Sequence, residues 1–200
     1  MSKRIHDRIP FVETGFQWYP SFDPLGDLVA NPNPSLALEQ LGRTIDYLIR
    51  DAGWAPNRIH LFGFAQGGSL ACELARRVYY EASSTGITTE PVSRRQLGSV
   101  VSVCGPLLSY ATSTVDTCPT PVLVFHRPAV VSQQESGGVV SIADMRRAFS
   151  TVVDVCRAGA DGISMPRSRD EWEPIMAFWA DRLVRVQRVP EGFEEVGGLG

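Results

Sequence analysis

The chain has 200 residues, enough for one domain with a core, and its 44% hydrophobic and 20% charged composition excludes wholesale disorder. The formal charge is only -3, and arginine carries nearly all the positive charge because Lys3 is the only lysine. The pairs Arg76-Arg77, Arg94-Arg95 and Arg146-Arg147 are scattered rather than gathered on one stripe, so no nucleic-acid partner is expected.

Met1 to Arg8 holds no apolar run of the secretory kind, and no stretch of about 18 apolar residues offers a membrane span. The expected location is cytoplasmic. The four cysteines, Cys72, Cys104, Cys118 and Cys156, form no C-x-x-C pair. Cys104 and Cys156 fall in apolar, strand-like runs and are expected to be small buried hydrophobes. The three histidines, His6, His60 and His126, are far apart, with no H-x-x-x-H spacing. No metal and no cofactor are expected.

In chain order, Ile9 to Val12 is a short candidate strand, followed by the aromatic and turn-forming stretch Phe16 to Pro24. Asn33 is placed to cap a helix with Pro34 at its first position, and Leu38, Leu41, Ile45, Leu48 and Ile49 recur at helical spacing up to Gly53. Arg58 to Phe64 reads as a buried strand. A helix over about residues 66–82 follows, with Leu70, Leu74 and Val78 on one face. Ser83 to Pro91 reads as a polar loop. Val100 to Cys104, Pro121 to His126 and Val152 to Cys156 are further strands, and Ser132 to Gly138 is a loop. Ser141 and Ser168 open capping boxes with Asp144 and Glu171 three residues on. Trp172, Ile175, Met176, Trp179 and Leu183 then form a helical stripe, with Pro174 placed in the first turn. Alternating strands and helices predict one α/β domain over residues 1–189, a mostly parallel sheet covered on both faces, with a flexible tail at 190–200.

The informative stretch is Ile59 to Gly68. A strand runs through Gly63, x, x, x, Gly67 into a helix, which is the layout of a G-x-S-x-G nucleophile elbow. The apex of such a turn exposes its side chain above the sheet, and the glycines let strand and helix pass closely. The backbone N–H of Gln66 is the oxyanion-type donor at the helix start. The apex itself is Ala65, which has no nucleophilic atom.

In this context the chain resembles the phospholipase/carboxylesterase family, which includes acyl-protein thioesterases and reads R-I-x-L-x-G-F-S-Q-G-G at its elbow. Arg58 to Gly68 matches that pattern nearly throughout. Trp18 to Asp23 is similar to the family's tryptophan-containing loop, Ser99 to Leu107 to its strand ending in S-G-x-L-P, and Thr120 to His126 to its strand leading to H-G-x-x-D. Gly162 to Met165 stands where the family has G-x-G-H. The resemblance covers roughly residues 9–185 and implies an α/β-hydrolase fold with its amino-terminal strands missing, including the one ending in H-G-x-G-D. A truncated form of a longer chain is one expectation from that gap.

Carried over by resemblance, the nucleophile position is Ala65, the acid position falls near Val130, and the base position is Met165. His126 matches a structural histidine rather than the base, and His60 lies within its strand. Ser69, Ser164 and Cys104 are read as structural rather than as replacement nucleophiles. The resulting expectation is a triad-less member of a hydrolase family. It would hold an acyl chain, another apolar small molecule or a protein partner in a crevice near Trp18, Phe64, Leu107 and His126. The rival readings are an active carboxylic-ester or thioester hydrolase using another nucleophile, and a fragment of a longer protein.

Overall fold

A computed structural model describes residues 16–29, 31–84, 96–109, 117–128, 140–158 and 162–183. The candidate strand Ile9 to Val12, the acid position near Val130, the loop Ser132 to Gly138 and the tail lie outside the described residues. No described helix is long and apolar enough to cross a membrane.

The elements run α1 (Ser35–Arg50), β1 (His60–Phe64), α2 (Gln66–Ser84), β2 (Ser99–Val103), β3 (Val122–His126), α3 (Ile142–Ala148), β4 (Val152–Cys156) and α4 (Arg169–Ala180). The four strands form one parallel sheet in the order β1-β2-β3-β4. Side-chain alternation splits the core in two. Val100, Val122 and Val124 pack against α1, α2 and α3, whereas Val101, Val103, Leu123, Phe125 and Val155 pack against Ile175 and Phe178 of α4. The sheet therefore lies between helices, and the buried strands carry the continuous apolar runs this arrangement demands.

Several boundaries differ from the sequence expectation. Helix α1 starts at Ser35, with Pro34 in the cap, because the first helical bond runs from the Leu38 N–H to the Pro34 carbonyl at 3.0 Å. Asn33 still accepts from the Ser35 N–H at 3.0 Å. Residues 56–58 form a 3-10 turn led by Pro56, so Arg58 precedes the strand. Helix α2 runs on to Ser84, into what the sequence suggested was loop.

Pro174 is the sixth residue of α4, beyond its first turn, and removes one helical donor. The burial of Ile175 and Phe178 holds the helix across it. Met176 and Leu183 face outward, so the buried stripe is Trp172, Ile175, Phe178 and Trp179. The capping serines behave as expected: Ser141 accepts from the Asp144 N–H and Ser168 from the Glu171 N–H.

Candidate functional site

The elbow forms where β1 turns into α2. Ala65 has φ of 48°, the left-handed region that costs an L-residue energy. Its N–H donates to the Val103 carbonyl at 2.8 Å, and its carbonyl accepts from the Ser69 N–H at 3.1 Å. The glycine spacing has a direct cause. A Cβ on Gly63 would lie 2.1 Å from the Gly67 carbonyl oxygen, so only glycine fits. Gly105, beyond β2, is held as tightly, since its Cβ would meet the Ser69 nitrogen at 2.4 Å. Cys104, just before it, has φ of 54°, so two adjacent strands both end in left-handed backbone.

Gln66 begins α2, so its N–H belongs to the helix end that has no intrahelical acceptor. Its side chain does something the sequence reading missed. The amide oxygen accepts from the Trp18 N–H at 2.9 Å, and the amide nitrogen donates to the Tyr19 carbonyl at 3.1 Å and the Ser21 hydroxyl at 2.6 Å. One residue thus fastens the tryptophan loop to the elbow. Trp18 remains 51% exposed, and Phe64, the residue before Ala65, is 39% exposed.

The alternative nucleophiles are enclosed. Ser69 is buried, with a long 3.5 Å contact to the Ala65 carbonyl. Ser164 is buried and accepts from Arg127 Nε at 3.1 Å. Cys104 is buried with its Sγ 3.6 Å from the Ser164 carbonyl oxygen. Met165 packs into the apolar cluster under α4. His60 is bonded to Ser99 Oγ at 2.8 Å, and burial lowers its pKa.

The proposed crevice is only partly assembled. Trp18 and Phe64 lie at the elbow, and Leu107, shortly after Gly105, packs against the cluster on the α1–α3 face. His126 does not join them. It ends β3, two strands from β1, and its Nε2 is 2.8 Å from Asp154 Oδ1. The cause is the β3–β4 register, which sets Asp154 one pleat behind His126. A cavity of about 540 Å³ opens at the opposite end of β1, lined in part by Trp54, Asn57, Arg58 and His60.

Next to His126, Arg127 is buried and forms an ion pair with Glu171 of α4. Its guanidinium also donates to the carbonyls of Ala158 at 3.2 Å and Met165 at 3.4 Å. Glu171 accepts in addition from the Arg167 N–H at 2.8 Å. Arg127 first, and then the Arg167 N–H, hold the Glu171 carboxyl down at about 2. Among the described residues, no group of three His, Cys, Asp or Glu side chains is placed to hold a metal.

The parallel sheet between helices recurs in solved structures. Esterase PE8 superposes with a TM-score of 0.59 at 18% identity, covering 84% of this chain and 71% of its own. SOBER1 of Arabidopsis thaliana gives 0.57 at 18% identity, covering 86% and 76%. Acyl-protein thioesterase 2 of Zea mays gives 0.56 at 16%, covering 86% and 74%. The chain has an α/β-hydrolase fold. An uncharacterized hydrolase of Mycosarcoma maydis is 30% identical over 175 residues. Those residues are 86% of this chain and 60% of the relative, so this chain spans less than two thirds of that protein. No family model matches.

Proposed function

We propose that this hydrolase-like protein binds an acyl chain or another apolar small molecule at the elbow without hydrolysing it. The observation that carries this reading is Ala65: a methyl group at the apex of an elbow whose left-handed turn, close glycines and helix start are all retained. Such a turn directs an N–H donor and a helix end at whatever lies above it, which suits a carboxylate or a polarised carbonyl. Exposed Trp18 and Phe64 offer apolar surface at the elbow, and Gln66 holds the Trp18 loop in place. Catalysis by a serine mechanism needs a nucleophile and base in mutual reach. Ala65 and the packed Met165 supply neither.

The test is calorimetric titration with decanoate, paired with an assay of short acyl esters. The expected result is saturable binding, abolished by Ala65→Phe and weakened about tenfold by Gln66→Leu through the loosened loop, with no turnover above background. Steady turnover lost on changing one named Ser or Cys would overturn the reading in favour of a working hydrolase. Absence of saturable binding by well-folded protein would overturn the acyl-binding part.

A further inference from the structure

Cys156, expected from its apolar surroundings to be buried, is exposed. On β4, Val152 packs on the α1–α3 side while Val153 and Val155 pack on the α4 side. Asp154 and Cys156 therefore share the face of Val152. On β3, Val122 and Val124 point the same way, so His126 does too. The parallel register sets His126 directly beside Cys156, across a strand spacing of about 4.8 Å. One face of two adjacent strand ends thus carries a thiol, an imidazole, and a carboxylate bonded to that imidazole at 2.8 Å.

We propose that Cys156, His126 and Asp154 form a thiol-exchange site for a small disulfide. The Asp154 carboxylate accepts from His126 Nε2–H, and Nδ1, 3.4 Å from the Arg127 carbonyl oxygen, carries the lone pair that takes a proton, the N–H so formed then donating to that oxygen. His126 removes the proton from Cys156, and the thiolate sulfur attacks one sulfur of the disulfide in line. A new S–S bond to Cys156 forms as the original S–S bond breaks, and the departing thiolate takes the proton from His126. Cys156 is oxidised, the departing sulfur is reduced, and no other oxidant is needed. This chemistry suits the place better than acyl transfer. Charge develops on the leaving sulfur and not on an oxyanion, so a proton acceptor and open access suffice. The guanidinium of Arg157, bonded to the Cys156 carbonyl at 3.2 Å, favours a disulfide bearing carboxylates.

The experiment is intact-mass spectrometry with peptide mapping after incubation with oxidised glutathione, following adduct formation over time. The expected result is one adduct, on Cys156, forming about tenfold faster in native than in denatured protein. His126→Ala removes that advantage and added imidazole restores it, which a purely structural histidine would not allow. Asp154→Asn slows exchange in part, and oxidised glutathione outpaces cystamine. Equal rates in native and denatured wild-type protein would overturn the proposal. So would an adduct on Cys72, Cys104 or Cys118 instead, or a folded His126→Ala that reacts as fast as wild type. The native-to-denatured comparison decides the matter even where the variants fail to fold.

Discussion

Replacing Glu171 by Gln removes the anion that Arg127 has been buried to meet. The Glu171 carboxyl sits at about 2, against an ordinary value of about 4.3, and that gap corresponds to about 3 kcal/mol. Solvent reaches the Glu171 carboxylate and screens the pair, which cuts the figure to about 1–1.5 kcal/mol. The sign follows from the direction of the shift. A carboxyl depressed in the folded state stabilises the protein above its unfolded pKa, and that stability is lost as pH falls from about 4.3 towards 2. Denaturant melts of wild type and Glu171→Gln should therefore differ by about 1–1.5 kcal/mol near neutral pH and converge as the pH approaches 2. A gap below about 0.5 kcal/mol at neutral pH would refute the reasoning, because an ion pair of no consequence is what solvent-exposed pairs give. A gap that stays constant down to acid would refute the electrostatic cause and leave only packing.

The remaining predictions concern the backbone at the elbow and the helix that faces it. Gly63→Ala drives a Cβ to 2.1 Å from the Gly67 carbonyl oxygen and should cost at least about 3 kcal/mol or prevent soluble expression. Its control is Gly42→Ala within α1, where the nearest atom is 4.0 Å away, and a gain of about 0.5–1 kcal/mol is expected in the same melts. Ala65→Gly relieves a residue held at φ of 48° and should raise stability by about 1 kcal/mol, read as an increased Tm. Ala65→Ser restores a hydroxyl at the apex but not a base, so ester assays should show no turnover above that of the parent. Clear turnover would place a working base near the elbow.

The sequence made the individual elements legible and left their meetings hidden. Strand β4 has the predicted bounds, and β2 lies one residue earlier at both ends, starting at Ser99, which pairs with His60, and ending before Cys104, whose φ is positive. The elbow was readable because its cause is local: two glycines four apart must pass each other. Gln66, Arg127 and Cys156 were read incompletely because their partners are brought to them by the fold. Gln66 meets Trp18 across 48 positions and Arg127 meets Glu171 across 44, and no periodicity connects such pairs. Cys156 looked buried because alternation assigns a face, whereas exposure depends on whether a helix covers that end of the strand. The capping box at Ser168 was correctly found. That its glutamate also takes a buried arginine has no local signal.

The order β1-β2-β3-β4 means that each described strand pairs only with the strands next to it in the chain. Among the described strands, none has to be inserted between two that are already joined. Of the four described strands β1 emerges first during synthesis, and each later one can dock on the edge of the one before it. The last contacts to form are then those of α4, whose Glu171 and Trp172 reach back to Arg127 and Phe62. Helix α4 thus works as a latch on the four described strands. Weakening it should speed unfolding more than it slows folding.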